Sequence, residues 1–367
     1  MKLCFVNPAL QKRSEIYKVA DSISPRHEVT ILQPDTSEKS RANPTVSHSN
    51  VTVRRLPARF ITFQDSVFVL PSLGAWSDAL KGFDLIHICD YFYTTSFLPF
   101  LHKTCPVTLV TNALPGYSYS TGSLAIDGLA RIVTGTICPN LLPRYDRVNS
   151  VTTSLVDDLV AFGVRRDKIS VIPSGVDWQP LDRDREDVRR EYDIGKDETV
   201  MMVMGRHVRV KRFDLAIKTA KQLGARLLVL GTGPQKPHLE SFARSIGADC
   251  TFFDFAPEKV KLDCFAMSDL FLLTSLSEGL PTTALEAMAN GLPVVSNDLP
   301  GMRDMITQRG TGILVSDGDY AGACSRLLAD RDLRDSISAN AASLIRTTRS
   351  WKVIGGRYDR FFEDAAQ

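Results

Sequence analysis

The chain has 367 residues, of which 44% are hydrophobic and 23% charged, and its formal net charge is +2. This length predicts two domains, because a single hydrophobic core rarely extends beyond about 250–300 residues. The balanced charge argues against a dedicated nucleic-acid binder, and no apolar run reaches the roughly 18 residues of a spanning helix. The seven scattered cysteines have no zinc-ligand spacing, which indicates reduced, buried thiols in a cytoplasmic protein.

The first half of the chain alternates short apolar runs with helical patterns. Its first run reads as a β-strand and is too short for a signal peptide. Near-continuous apolar strands of this kind are typical of a parallel sheet that is covered on both faces. The predicted strands are Leu3–Asn7, His27–Gln33, Val51–Leu56, Asp84–Cys89, Val107–Thr111, Ser150–Thr153 and Ile169–Pro173.

A polar segment that begins at Ser174 marks the predicted domain boundary, and a second α/β series follows it. The predicted strands are Thr199–Met204, Arg226–Leu230, Cys250–Phe255, Leu270–Thr274 and Pro293–Ser296, and the predicted helices are Phe213–Leu223, Pro237–Ile246, Lys259–Met267 and Thr282–Ala289. We therefore expect two doubly wound domains, 1–173 and 174–350, that face each other across a ligand-binding cleft. A C-terminal helix over 351–367 is expected to pack back on the first domain.

A basic loop follows the first strand of the second domain. Gly205 permits a tight turn, and Arg206 and Lys211 can then bind phosphate oxygens at the carboxyl end of the strand. The alternative interpretation is a solvated basic surface. Gly231 and Gly233 follow the next strand, where a GxG pair is as often an ordinary turn as a ligand-binding loop.

The most informative stretch extends from Glu278 to Glu286. Pro281 stands at the predicted start of a helix, and the amides and hydroxyls of Thr282 and Thr283 can bind a phosphate at its N-terminus. Glu286 lies one turn along, where it could accept hydrogen bonds from a ribose diol, and Glu278 could accept them from sugar hydroxyls. The alternative is a helix-capping loop with one solvated glutamate. The layout suits a nucleotide sugar.

This stretch resembles the retaining glycosyltransferases of family 4, also called group 1, which have the GT-B fold. The specific match is two glutamates with seven residues between them, continuing as Glu-Ala-Met-Ala-x-Gly-Leu-Pro-Val-Val. Weaker matches are Ile172–Asp177, the loop Gly205–Lys211 and the turn Gly231–Gly233. The resemblance implies an α/β enzyme with two Rossmann-like domains, an N-terminal acceptor domain and a C-terminal donor domain.

The resemblance also implies roles for individual residues. Arg206 and Lys211 would hold the donor diphosphate and stabilise its charge as it leaves, in place of a metal ion, and Glu278 would orient the sugar. Glu286 would bind the ribose, and residues 255–256 would flank the base. The implied donor-binding residues are Gly205, Gly231, Gly233, Gly279, Leu280, Pro281, Thr282, Thr283 and Glu286. No metal and no cofactor besides the nucleotide-sugar co-substrate are expected.

The first domain departs from the family pattern in two places. The usual glycine-rich loop after the first strand is replaced by Asn-Pro-Ala-Leu-Gln-Lys-Arg-Ser, in which Lys12 and Arg13 could act instead on the acceptor side. Asn112 stands where many members have histidine, so either no protein base is used or another group such as Asp90 serves. His87, on the strand beside Asp90, fits a buried structural histidine better than a catalytic one.

The expected function is retaining transfer of a hexose from a UDP- or GDP-sugar to a hydroxyl of a lipid-linked or glycan acceptor. The alternatives are a sugar-phosphate epimerase or phosphorylase of the same fold, and a non-catalytic sugar-nucleotide binding protein. Residues 117–142 carry few charges, which fits equally a plain helix on the sheet and an amphipathic segment resting on a membrane. Because relatives with lipid acceptors dock through this domain, peripheral contact with the cytoplasmic face of a membrane is expected.

Overall fold

A computed structural model describes most of the chain. The described residues are 1–7, 14–35, 50–63, 66–91, 93–101, 103–120, 123–178, 183–254, 257–306, 310–316 and 318–367. Contacts divide the chain into two compact units: unit 1 is Met1–Leu114, Ile132–Gly175 and Trp351–Gln367, and unit 2 is Pro115–Arg131 and Val176–Ser350. The boundary at 175–176 lies two residues beyond the predicted one. Pro115–Arg131 is grouped with unit 2, although the sequence places it in the first domain.

The secondary structure consists of alternating strands and helices. The strands are β1 Lys2–Val6, β2 Glu28–Pro34, β3 Val51–Leu56, β4 Ala58–Phe63, β5 Ser66–Pro71, β6 Leu85–Cys89, β7 Val107–Thr111, β8 Arg147–Ser150, β9 Ile169–Val171, β10 Val200–Met204, β11 Arg226–Leu230, β12 Cys250–Phe253, β13 Leu270–Leu273, β14 Val294–Asn297 and β15 Ile313–Val315. The helices are α1 Ser14–Ile23, α2 Leu73–Ala79, α3 Leu124–Leu141, α4 Val156–Ala161, α5 Arg185–Glu191, α6 Phe213–Leu223, α7 Lys236–Ser245, α8 Glu258–Met267, α9 Thr282–Ala289, α10 Pro300–Ile306, α11 Tyr320–Ala329, α12 Arg331–Thr348 and α13 Trp351–Ala366.

Unit 1 contains a parallel sheet with the strand order β3-β2-β1-β6-β7-β8-β9. A separate antiparallel hairpin joins β4 and β5. This hairpin is not among the predicted elements, because the chain there lacks the Asn-Gly or Asp-Gly pair that marks a tight hairpin turn. From β1 the chain adds β2 and β3 on one side of the sheet, and from β6 it adds β7, β8 and β9 on the other side. The carboxyl ends of the neighbouring strands β1 and β6 therefore mark the topological switch point of this sheet.

Strand β8 begins three residues before the predicted strand Ser150–Thr153. The prediction starts too late because the strand contains a buried polar residue, Asn149, which interrupts the apolar pattern. The Asn149 side chain forms backbone-like hydrogen bonds with Ile172: its Nδ2 donates to the carbonyl at 3.0 Å, and its Oδ1 accepts from the amide at 2.7 Å. The buried amide is therefore satisfied. It also reaches α13, where Nδ2 donates to the Tyr358 hydroxyl at 3.0 Å.

Helix α13 packs against α1 within unit 1. Gly355 permits this close approach, since a Cβ atom there would lie 2.6 Å from the Ser22 hydroxyl oxygen. On the sheet side, the Phe362 ring lies 5.7 Å from the Phe5 ring and 5.1 Å from the His87 ring. The last helix thus completes the core of unit 1.

His87 is buried in this aromatic cluster and is a structural residue. Its Nδ1 lies 2.9 Å from the Thr108 hydroxyl oxygen. Burial lowers the pKa of His87 from 6.5 to about 3, so the ring is neutral in the folded protein near neutral pH.

Unit 2 contains a second parallel sheet, with the strand order β12-β11-β10-β13-β14-β15. From β10 the chain winds outward through β11 to β12, and it then returns to β13 on the other side of β10. The carboxyl ends of β10 and β13 therefore flank the switch point, where sheets of this kind bind ligands. Strand β15 and helices α10 to α12 extend the unit beyond the predicted elements.

Two features of the chain bear on its environment. All seven cysteines are free thiols, and five of them are buried. None of the helices over the described residues combines the length and the hydropathy that crossing a membrane requires.

We predict that His87 makes unit 1 less stable in mild acid. The unfolded chain binds a proton near pH 6.5, whereas the folded protein binds it only near pH 3, so stability is present above pH 6.5 and falls as the pH falls. This group should lower the free energy of unfolding by about 1 kcal/mol between pH 7 and pH 5.5. Amide hydrogen exchange of β1 and β6 measures that free energy. In H87Q this free energy should depend less steeply on pH than in the wild type. H238Q, at an exposed histidine, is the control and should keep the wild-type dependence. Equal pH dependence in H87Q and wild type would contradict the prediction.

Candidate active site

The candidate site lies at the switch point of unit 2, where loops follow β10 and β13. The Lys211 ammonium forms an ion pair with Glu278 Oε1, although the two residues are 67 positions apart in sequence. The Ser275 hydroxyl donates to the same oxygen at 2.6 Å. The side chains of Lys211 and Glu278 are only 18% and 12% exposed. The structure therefore brings together two of the three predicted catalytic residues.

Backbone hydrogen bonds hold the two loops together. The Leu276 amide donates to the Val210 carbonyl at 2.7 Å. The Thr274 hydroxyl donates to the Lys211 carbonyl at 2.9 Å. Because these bonds do not involve the ion-pairing atoms, they fix the position of Lys211 independently of its charge.

Arg206, the third predicted catalytic residue, precedes this ion pair in the loop after β10. Its side chain is exposed, and it makes no ion pair with any residue that the structure describes. Lys211 is paired with Glu278, so Arg206 is the predicted catalytic cation whose charge no described residue balances.

The Gly231–Gly233 turn lies directly against the basic loop. Gly231 has a φ of 119°, and a Cβ atom there would lie 2.1 Å from the Gly205 carbonyl oxygen. A Cβ atom at Gly233 would lie 2.6 Å from the His207 carbonyl oxygen. The GxG pair therefore has a packing function, because it lets the backbone of the basic loop approach. Contacts of Gly205, Gly231 and Gly233 with a donor stay a prediction.

Helix α9 begins at the end of the Glu278 loop, and its first amides are only partly satisfied. The Thr282 amide donates to the Leu280 carbonyl at 2.9 Å, so one of the two predicted phosphate-binding amides is engaged. The Thr283 amide has no hydrogen-bond partner among the described residues. Pro281 caps the helix without a side-chain hydrogen bond. An amide at the positive end of the helix dipole is thus free to bind an anion, while Gly279 and Leu280 lie partly buried beside it.

Glu286 lies one turn into α9, beside a lysine that the sequence analysis does not identify. Its Oε2 accepts a hydrogen bond from Lys261 Nζ, in α8, at 3.0 Å. Burial raises the pKa of Glu286 above its usual value, and the Lys261 charge opposes this shift. Burial also tends to lower the pKa of Lys261, but the carboxylates of Glu286 and Glu258 raise it overall. No motif marks Lys261, because its role depends only on how α8 packs beside α9.

In unit 1, Asp90 occupies the carboxyl end of β6, at the switch point of that sheet. Its φ of 91° lies in the left-handed region, which is unusual for a residue with a side chain. Its Oδ1 accepts from the Tyr91 amide at 3.0 Å, and its carbonyl accepts from the Ser96 hydroxyl at 2.6 Å. Asn112 follows the adjacent strand β7 and is partly buried.

Some predicted residues cannot be compared with the structure. Lys12, Arg13 and residues 255–256 lie outside the described residues. Within the described part of the chain, no group of three or more His, Cys, Asp or Glu side chains is arranged to hold a metal ion.

A further segment, unexpected from the sequence, lies at the site. Pro115–Arg131 belongs to unit 2, and the Ser120 amide donates to the Ser277 hydroxyl oxygen, next to Glu278, at 3.1 Å. The sequence offers two signals for this segment: it follows the carboxyl end of β7, and it is rich in tyrosine and serine.

Comparisons with known proteins define the class of this protein. Residues 184–344 match the family model "Glycosyl transferases group 1", and residues 16–179 match "Glycosyltransferase Family 4". The two matches together cover most of the chain. The protein is therefore a transferase, and it belongs to the group 1 glycosyltransferases of family 4.

Individual relatives agree with this class. The chain is 28% identical to the GDP-mannose-dependent alpha-mannosyltransferase of Mycobacterium tuberculosis, over 89% of this chain and 85% of that protein. Alignments with other curated glycosyltransferases cover from 47% to 71% of those proteins.

Solved structures confirm the fold. Sucrose-phosphate synthase from Thermosynechococcus elongatus has a TM-score of 0.82 at 18% identity, over 99% of this chain and 98% of that one. HepE of Anabaena, solved with UDP and glucose, has a TM-score of 0.78 at 15% identity, over 99% of this chain and 100% of that one. At these identities the similarity establishes the GT-B fold, with its two parallel-sheet α/β domains, which confirms the predicted fold class.

We predict that Gly231→Ala destabilises unit 2 more than a matched glycine substitution does. Gly291 also has a positive φ, of 75°, but no atom lies within 4 Å of a Cβ atom built there. Both substitutions pay the cost of a left-handed conformation, about 1 kcal/mol. G231A in addition forces the methyl group against the Gly205 carbonyl, which should cost about 2 kcal/mol more. Urea unfolding of G231A and G291A measures the difference, and equal losses would contradict this account of the turn.

Proposed function

We propose that the protein transfers a hexose from a nucleoside diphosphate sugar to an acceptor hydroxyl, with retention of the anomeric configuration. The observation that carries this proposal is the Lys211–Glu278 ion pair at the switch point of unit 2, with Arg206, which has no ion-pair partner among the described residues, in the same loop. In this proposal the carboxylate binds hydroxyls of the sugar, and the neighbouring cations bind the diphosphate.

The leaving diphosphate develops negative charge as the glycosidic bond breaks. Arg206 and Lys211 act on this charge, and fixed cations in a partly buried site stabilise it more than water does. The Thr283 amide at the start of α9 adds a neutral donor for a phosphate oxygen. We propose that these groups take the place of a metal ion, and that the nucleotide sugar is the only co-substrate.

The two glutamates recognise opposite ends of the donor in this proposal. Glu278 binds hydroxyls of the transferred sugar, and Glu286, in the first turns of α9, binds the ribose. Lys261 pairs with the Glu286 carboxylate and opposes the rise in its pKa that burial causes. The remaining predicted donor contacts, Gly279 to Thr283, lie in the stretch between them.

The identity of the nucleotide rests on relatives. The mycobacterial relative is named for its dependence on GDP-mannose, and the Anabaena structure contains UDP and glucose. We therefore propose UDP or GDP as the nucleotide. The matches to glycosyltransferase families favour transfer over the epimerase, phosphorylase and binding-protein alternatives.

We propose that retention follows from front-side attack, in which the leaving phosphate assists the incoming hydroxyl. On this mechanism no protein nucleophile is needed. On the acceptor side, Asp90 is the carboxylate that can assist deprotonation, and its unusual backbone conformation at a strand end is typical of functional positions. Asn112 can hydrogen-bond the acceptor but cannot take its proton.

The acceptor side also includes an apolar helix face. Over 124–143 the sequence contains only two charged residues, Asp127 and Arg131. Large apolar side chains are exposed along the first half of α3: Leu124 (94% exposed), Ile126 (55%), Leu129 (64%) and Ile132 (66%). A monomeric protein rarely exposes such a contiguous apolar surface without a partner. We propose that this face rests on the cytoplasmic side of a membrane and that the acceptor is lipid-linked.

We predict that E278Q and K211A each lower the transfer rate by about 100- to 1,000-fold, as the loss of a charge-stabilising group does elsewhere. A thermal-shift screen with UDP, GDP and their sugars first identifies the donor, since a ligand at a hundred times its Kd adds about 2.7 kcal/mol. Lys259, whose ion pairs lie in the same unit away from Glu278, provides the control: K259A should keep the wild-type rate. The assay contains EDTA, in which the wild-type rate should persist. Near-normal turnover of both site variants, or strict metal dependence, would refute the assignment.

We predict that the double variant L129S/I132S loses affinity for lipid. Burying a leucine or isoleucine contributes about 1.5–3 kcal/mol, so the two substitutions should reduce vesicle binding by well over tenfold. Co-sedimentation with phosphatidylglycerol-containing vesicles measures the change. Leu73, a 61% exposed leucine of α2, provides the control, and L73S should bind vesicles like the wild type. Equal binding by the two variants would exclude a role of α3 in docking.

A further inference from the structure

The segment that follows β7 forms a fixed turn on the donor-binding unit. The Gly116 amide donates to the Tyr119 carbonyl at 3.0 Å, and the Ser120 hydroxyl donates to Asp127 Oδ2 at 2.5 Å. Gly116 has a φ of 78°, and a Cβ atom there would lie 2.4 Å from the Arg131 amide nitrogen. The turn Pro115–Ser120 is therefore locked onto the first turns of α3.

This turn is attached directly to the loop that carries Glu278. The Ser120 amide donates to the Ser277 hydroxyl oxygen at 3.1 Å, one residue before the proposed sugar-binding carboxylate. Within unit 2 this is a contact between residues 157 positions apart in sequence. The backbone of the preceding residue, Tyr119, is therefore held beside the loop that carries Glu278.

The two tyrosines of the turn have different surroundings. Tyr117 is 40% exposed, and the Arg131 guanidinium stacks on its ring at 5.0 Å. Tyr119 is more buried. Burial raises its pKa, the Glu278 carboxylate raises it further, and the Arg206 guanidinium lowers it. The Tyr119 phenol is thus an electrostatic neighbour of two proposed catalytic residues.

We propose that Tyr119 is a positioning residue for the transferred sugar. On this proposal, which rests on the proposed function, the ring covers the sugar beside Glu278 and the hydroxyl hydrogen-bonds it. A tyrosine side chain suits this role, because it combines an apolar ring with one donor and acceptor group. The ring also excludes water from the anomeric carbon, so the sugar is transferred to the acceptor and not hydrolysed.

The proposal is tested by comparing the affinities for the free nucleotide and for its sugar conjugate. Y119A should bind the nucleotide sugar about tenfold more weakly than the wild type, the equivalent of one lost hydrogen bond and its contacts. Its affinity for the nucleoside diphosphate alone should be unchanged. Without acceptor, Y119A should hydrolyse the donor faster relative to its transfer rate with acceptor. Y119F, which preserves the ring and the fold, should weaken sugar binding while keeping water excluded.

Y117A is the matched control, because it removes a tyrosine of the same turn whose ring packs against Arg131. It should keep the wild-type ratio of the two affinities and the wild-type ratio of hydrolysis to transfer. If Y119A behaves like Y117A, or if it weakens nucleotide and nucleotide sugar equally, the positioning role is wrong. If the wild type binds no nucleotide sugar at all, the proposed function itself fails, and the two failures are thereby distinguished.

Discussion

The ion pair between Lys211 and Glu278 is the interaction on which the arrangement of the site depends. Both groups are largely removed from water, so each carries a desolvation cost that its partner helps to offset. The Ser275 hydroxyl adds a hydrogen bond to the same carboxylate oxygen. Because the lysine follows β10 and the glutamate follows β13, the pair links the two strands that flank the switch point. A phosphate and a sugar hydroxyl would meet these two charges at adjacent positions.

The backbone around this pair holds the two charged side chains in place before a ligand binds. The glycines at 231 and 233 allow two loops to touch, and the hydrogen bonds from Thr274 and Leu276 hold the loop after β10 against the loop after β13. Fixed dipoles and charges contribute most to catalysis when they are positioned before the reaction begins. In unit 2 the close packing of main-chain segments positions the charged groups. A side chain at Gly231 or Gly233 would prevent this packing.

Much of the fold could be predicted from the sequence, because strands that are buried on both faces have nearly continuous apolar sequences. The helices Phe213–Leu223 and Thr282–Ala289 occur as predicted, and the rule that ligands bind at carboxyl strand ends points to Lys211 and Glu278. Lys261 could not be identified in this way, because only the packing of α8 beside α9 brings it to Glu286. The grouping of Pro115–Arg131 with unit 2 follows from long-range contacts, whereas the sequence signals only the position of this segment after β7 and its tyrosines and serines.

That segment joins two parts of the proposed reaction. Its turn is bonded to Ser277 beside the sugar-binding carboxylate, and its Ser120 hydroxyl is bonded to Asp127 in the first turn of α3. The apolar face of α3 begins at Leu124, four residues after Ser120. The hydrogen bond between Ser120 and Asp127 therefore joins the turn to the start of this helix face. On the proposed function, the helix that docks on lipid and the tyrosine that covers the sugar thus belong to one segment, which is hydrogen-bonded both to α3 and to the Glu278 loop.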